Sequence, residues 1–463
     1  MADRDLKDRL SELVAHLEKT VPYAAALYKK KSGTRVSVNR VQESVDPEDP
    51  SEGLVVTLWN GQRFFEYATN KWTWPDLKSS LSGFAEASLK LLDKKSPVIA
   101  INPGDPVDDD FRTPVKVDPS TLPAKEKLDL ARDRMKKALG SGPNVANAVS
   151  LLGDTTSEDI FVNRTKRMSQ RITRVDAVLV VFVSDGNQMG EVHGGLSKNG
   201  GLEKAVIPDA DIARMAADAA VLAKAERLEP GLYDVVTDPE WSGIIAHECF
   251  GHGMETDLYV RQRALSQSYI GKPVASPIVN MFDDPSLIEE AGGFFFDDEG
   301  QPSARTHIIK EGILQRGLTD MASAHALKLA RSANGRRESF ARKAYARMTN
   351  TFFDNGGHSP QEIISSVENG LYLRHATNGM EDPQAWGIQV EGLWAEEIKK
   401  GKLTGKVFSP VIMTGFVPDL LKSISMVGND RWISGLGMCG KGHKEWVKNT
   451  TGGPHLRMRA RLA

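Results

Sequence analysis

Cysteine is nearly absent from the sequence: Cys249 and Cys439 are the only two in 463 residues. A disulfide framework is thereby excluded, and a reducing compartment suits the chain. An excess of one charge is missing as well, since 59 lysines and arginines face 61 aspartates and glutamates for a formal net charge of -2. Such a balance offers no bulk attraction to nucleic acid or to acidic membranes. Long apolar runs are also lacking. The longest, "AVLVVFV" at 177–183, falls far short of a membrane span, and the opening "MADRDLKDRLSELVAHLEK" has no apolar signal core. The expectation is a cytoplasmic protein with no membrane segment, no tandem repeat and no low-complexity tract.

What is present reads as an ordinary globular composition, 40% hydrophobic and 26% charged, in a chain too long for one core. Leu6, Leu10, Leu13, Val14 and Leu17 recur at helical spacing. "TRVSVNRVQESV" and "EGLVVTLWNGQRFFEYAT" alternate like strands, with Asn60-Gly61 as a hairpin turn, before a helix over "WPDLKSSLSGFAEASLKLL". The proline- and aspartate-rich "SPVIAINPGDPVDDDFRTPVKVDPSTLP" reads as a boundary or an extended crossing. A helix from Ala124 to about Leu139 precedes candidate strands "EDIFVNR", "MSQRITRV", "DAVLVVFVSD" and "MGEVHGGLS", and an alanine-rich helix "DADIARMAADAAVLAKAERL" follows. These patterns predict an α+β protein with an N-terminal α/β domain at 1–115, a middle α/β segment at 116–229 and a strand-rich catalytic domain at 230–463.

The third region opens with a strand, "YDVV", then Asp238 as helix N-cap and Pro239 at the first helical position. That helix leads into "IIAHECFGHGMETD" at 244–257, where His247-Glu248 is followed by His252. Histidines four apart sit roughly 40° from each other on a helix, but five apart they diverge by roughly 140°. One ion can be chelated by both only if the helix ends, kinks or loosens between them, and Gly251 supplies the freedom and the space. Glu248 and Glu255 fall in the sector between the histidines, whereas Cys249 and Phe250 point toward the core. Glu248 therefore faces the position of a hydrolytic general base, and Glu255 could bind a metal or orient His252. A catalytic zinc needs a third protein ligand, for which Glu255, His307, His443 and Cys439 are candidates. The bland alternative is a helix that carries two histidines by chance.

Other features are less specific. Cys439 lies in "SGLGMCGKGHKEW", whose letters also satisfy a dinucleotide fingerprint without the strand and helix that motif requires. Arg336, Arg337, Arg342, Lys343 and Arg347 form a basic cluster, read as cleft or structural contacts rather than a DNA surface. Asn350 is a candidate lining residue. The alternating "WGIQVEGLWAE" at 386–396 is either an exposed peptide-binding edge or an internal strand.

Taken together, "YDVVTDPE", "HECFGHGMETD", "DDEG" (297–300), "NGRRESF" (334–340), "RMTNT" (347–351), "SMVGND" (425–430) and "MCGK" (438–441) resemble, in order, the blocks of the TldD/PmbA metalloproteases, once described as modulators of DNA gyrase. The resemblance implies a TldD-type, HExxxH-bearing zinc peptidase with His247, His252 and the Cys439 thiolate as ligands and Glu248 as general base. Glu255, Arg336, Asn350 and His443 would support the site or the substrate. It further implies unfolded or leader-bearing peptide substrates, an enclosed chamber, and pairing with a TldE/PmbA-like chain or a second copy. The rival readings are a non-catalytic zinc-containing peptide-binding protein and a gyrase modulator acting by binding. The chain departs from the family pattern in carrying Cys249 for the usual alanine and "GHKEW" after "MCGK".

Overall fold

The computed structural model describes residues 3–463 apart from Asp49, Pro143, Asn187, His443 and Lys444. An amphipathic helix, Asp3–Leu17, buries Leu10, Leu13, Val14 and Leu17 against an eight-stranded sheet. Strands Ser51–Trp59 and Phe64–Thr69 pair antiparallel, and Gly61 closes their turn at φ 105°. That value lies in the region only glycine enters without strain.

The same sheet runs on into the second region. Strand Tyr23–Val38 pairs along most of its length with Val145–Val162, so residues 1–115 and 116–229 share one hydrogen-bonded layer with no break at 115. The proline-rich crossing contributes to it too, since Val107–Arg112 pairs parallel with the strand Lys166–Asp185. "MSQRITRV" and "DAVLVVFVSD", expected as separate strands, are one continuous strand of 20 residues. Nothing between them breaks the alternation: Ile172, Val175, Ala177, Leu179, Val181 and Val183 are all buried. The opening of Tyr23–Val38, "YAAALYKKKSG", carries no strand signal in its alanines and lysines and is held extended by partners on both sides. Helices Ala124–Gly140 and Asp209–Leu222 cover this sheet.

The third region begins at the strand Gly231–Thr237. This strand lies between Asn369–Asp382 and Leu456–Leu462; Leu456–Leu462 pairs with Val411–Phe416, Val411–Phe416 with Gly387–Lys399, and Gly387–Lys399 with Asn369–Asp382. The pairings thus close a ring. Gly387–Lys399 has neighbours on both sides, so "WGIQVEGLWAE" is an internal strand and not a peptide-binding edge. A six-stranded sheet lies beside the ring and carries the short strands Met281–Asp283, Asn350–Phe353 and Thr450–Gly453. The helix Pro239–Phe250 packs into one core with both, burying Trp241, Ile245, Ala246, Cys249 and Phe250. Cys249 is thus a small apolar core residue, and burial pushes its thiol well up.

Polar contacts dock the third region on the first sheet. Lys29 reaches Asp159 at 3.0 Å and also pairs with Asp298. Gln170 Nε2 donates to the Phe296 carbonyl at 3.1 Å, while its Oε1 accepts from Phe295 N at 3.0 Å. Replacing Lys29 with methionine removes the cation between the enclosed Asp159 and Asp298 carboxylates. The expected loss is about 3 kcal/mol of stability, read from urea unfolding midpoints; a change below about 0.5 kcal/mol would show that the docking does not rest on this ion pair.

Candidate metal centre

Asp238 caps the motif helix by accepting from Trp241 N at 2.9 Å, and Pro239 takes the first turn, where no donor is lost. The helix stops at Phe250, and His252 falls in a separate 3-10 turn, His252–Met254. A β-carbon on Gly251 would run into Met348 Sδ and the His247 carbonyl, so the chain turns there only because the residue has no side chain. With the helix ended, the His247 and His252 rings stand 5.4 Å apart, centroid to centroid, and nearly perpendicular.

Cys439 comes from the short hairpin Met438–Cys439 paired with Val447–Lys448. Its Sγ lies 3.2 Å from His247 Nε2 and 3.3 Å from His252 Nε2, and one ligand atom of each residue fits within 4.8 Å of the others. Bonds of about 2.0 Å to nitrogen and about 2.3 Å to sulfur at a tetrahedral angle place those atoms about 3.5 Å apart. The sulfur therefore stands within a few tenths of an ångström of the zinc-binding distance from each nitrogen.

The outer nitrogens are also engaged. His247 Nδ1 lies 2.9 Å from the Asn449 side-chain amide, whose Oδ1 is otherwise buried without a partner. Turning the amide over would let Nδ1–H donate to that oxygen and leave Nε2 free for an ion. His252 Nδ1 lies 3.3 Å from Glu255 Oε2. Glu255 is fully buried; its Oε1 accepts from Arg347 Nε at 3.0 Å and Oε2 pairs with Lys441 Nζ at 3.0 Å. Burial opposes its charge, yet Lys441, His252 and Arg347 hold it well below the usual carboxylate range. Arg347 Nη2 also donates to the Cys439 carbonyl at 2.9 Å and to its Sγ at 2.8 Å, and Nη1 donates to the Glu445 carbonyl. Burial would raise the Cys439 thiol, but His252 and His247 outweigh it and hold it well below its ordinary value. This set of two imidazoles and a thiolate, with both outer nitrogens held, fits zinc.

Glu248 lines a cleft of about 510 Å³ together with His247, Asn449 and Gly379. Burial raises its carboxyl pKa. A β-carbon at Gly379 would sit 2.5 Å from Glu248 Cγ, so this glycine makes room for the carboxylate. The far wall is the first sheet, through Val178, Val180, Glu191 and His193.

The remaining sequence candidates lie elsewhere. Arg336 donates to the Met348 and Lys448 carbonyls at 2.6 and 2.7 Å and spends its fork on backbone rather than on the cleft. Asn350 is fully buried and donates to the Asp284 carbonyl at 2.8 Å. His307 stacks on Phe282 with centroids 4.2 Å apart and does not join the donor set. His443 lies outside the described residues. Sequence reasoning missed Asn449 and Lys441, and placed Arg347 only in a basic cluster. No spacing signals Asn449; it follows the strand that pairs with the Cys439 segment.

The chain is thus an α+β protein in which two imidazoles and a thiolate could hold a metal ion. Residues 230–461 match the PmbA/TldA metallopeptidase C-terminal domain. A metalloprotease from Methanothermobacter thermautotrophicus is 30% identical over 457 residues, 98% of this chain and 97% of its own. A metalloprotease TldD homolog from Haemophilus influenzae is 34% identical over 212 residues, 46% of this chain and 44% of its own. Among solved structures, TldE from Thermococcus kodakarensis superposes with a TM-score of 0.74 at 16% identity over 98% of this chain and 100% of that one. A proposed modulator of a DNA gyrase from Thermotoga maritima gives 0.78 at 15% over 99% and 100%. At those identities the two structures show a shared fold alone. The chain belongs to the TldD/PmbA metallopeptidase family.

Gly251→Ala is expected to cost about 2 kcal/mol through overpacking and to displace His252, lowering the metal retained after dialysis against a weak chelator. Arg347→Lys keeps the charge but loses the fork that meets the Cys439 and Glu445 carbonyls; a zinc affinity about tenfold weaker in chelator competition and a stability loss of about 2 kcal/mol in urea unfolding are expected.

Proposed function

We propose that the chain is a TldD-type, zinc-dependent peptidase that hydrolyses unfolded or leader-bearing peptides in the enclosed cleft between its first sheet and its third region. The observation that carries this reading is the convergence of His247, His252 and Cys439, with His247 and its neighbour Glu248 lining that cleft. These three residues would hold zinc. When bound, zinc supplies Lewis acidity that polarises a scissile carbonyl and acidifies water.

Each remaining part is assigned to the chain itself. Glu248 accepts the proton of the attacking water on its carboxylate and returns it to the leaving amine. Asn449 and Glu255 hold the two imidazoles in the tautomer that presents Nε2 inward. Arg347 ties the thiolate to the Glu255 carboxylate, so the ligands from both ends of the third region share one support. The site works in the cytoplasm, where Cys439 stays reduced. A TldE/PmbA-like chain, or a second copy, completes the chamber; the fold shared with TldE supports that pairing. The balanced net charge gives a gyrase-binding role no support of its own.

Purified protein is expected to carry about one zinc per chain, removed by chelation. Glu248→Ala is expected to lower cleavage of an unfolded peptide by at least about a hundredfold while zinc content stays the same, measured by mass spectrometry of products and by metal analysis. Unchanged cleavage in that variant would remove Glu248 from the mechanism.

A further inference from the structure

The cleft beside the metal ligands does not end there. Glu240, Ile244, His247 and Glu248 form one stripe of the motif helix, and all four line it. At its far end Glu240, His193 and Ser434 are shared with a second cavity of about 260 Å³. This side pocket has apolar walls from Val206, Ile207, Met215, Trp432 and Ile433. Val206 and Trp432 are 61% and 42% exposed and leave apolar surface open along this cavity.

The charges around the pocket are distributed unevenly. Lys198 is paired with Glu290 at 2.6 Å, Arg214 with Asp211 at 3.0 Å and Arg374 with Asp218 at 2.7 Å. Glu240 has neither a hydrogen bond nor an ion pair among the described residues. Seven residues of helix separate it from His247, about 10 Å at 1.5 Å per residue. An extended peptide covers that distance in about three residues.

We propose that this pocket is a substrate subsite for a basic side chain, lysine or arginine, standing about three residues from the scissile bond, with Glu240 as the specificity-determining carboxylate. The aliphatic stem lies along Ile433, Val206 and Met215 while the charged end reaches Glu240, and Trp432 offers its ring face to the cation. Burial and the adjacent Asp238 push Glu240 up to about 8 despite Arg374 and Arg214. A substrate cation against this carboxyl favours its charged form. This assignment rests on the peptidase reading, whose substrate class it narrows.

Binding separates the two ideas. Fluorescein-labelled extended peptides, identical except for one residue set in turn to lysine, arginine, norleucine or glutamate at each position, are titrated into zinc-loaded Glu248→Ala protein and followed by anisotropy. At one position lysine and arginine are expected to bind about tenfold tighter than norleucine, and the ratio is expected to fall below about twofold when Glu240→Gln is added. An undiminished ratio in that variant, norleucine equal to lysine at every position, or no binding of any peptide overturns the proposal. Melting temperatures check that Glu240→Gln folds, and the lysine–norleucine comparison in the unsubstituted pocket decides the matter if it does not. Preferential binding without cleavage by the unsubstituted enzyme would support the subsite and remove the peptidase reading.

Discussion

A buried arginine holds the candidate centre together. Arg347 is fully enclosed, and its guanidinium meets a thiolate, two backbone carbonyls and a carboxylate within one plane of donors. Burying a guanidinium is costly unless its fork is satisfied, and satisfying it here requires Glu255, Cys439 and Glu445 to stand in fixed places. Those places in turn decide where His252 and the sulfur point. The energetic demand of one cation therefore becomes a geometric constraint on two of the three candidate ligands. The third, His247, is fixed separately, by the regular helix beneath it and by Asn449.

The fold serves that constraint by confining a single polar helix face. The helix Pro239–Phe250 is buried nearly all round, and its side bearing Glu240, His247 and Glu248 faces a cleft instead of open water. The closed ring of strands and the six-stranded sheet seal the apolar side, and the first sheet supplies the facing wall. A glycine ends the helix where a turn is needed, and another at 379 leaves space for the Glu248 carboxylate. Site geometry and packing meet at these two glycines, where a larger residue would jam against Met348 or Glu248.

Much of this was legible beforehand. The five-residue separation of His247 and His252 demanded an interrupted helix, and the interruption falls at Gly251. Asp238-Pro239 announced the helix start, and Asn60-Gly61 announced a turn that the sheet contains. Other features escaped. The merging of two expected strands into one, and the sheet shared across residue 115, depend on how far pairing partners extend. Arg336 and Asn350 looked functional by residue type alone, but buried carbonyls claimed their donors.

The sequence alone determined what is local: caps, turns, the sector of the helix that bears Glu248, and the requirement for a break before His252. These depend on steric rules that act within a few residues along the chain. Tertiary structure decided which third donor joins the histidines, because Cys439 is 192 positions from His247 and reaches it only through strand pairing and the hold of Arg347. It also decided that Asn449 and Glu255 brace the imidazoles while His307 stacks against Phe282. A hydrogen bond requires its atoms within about 3 Å of each other, and for residues so distant along the chain only the packed core brings them there.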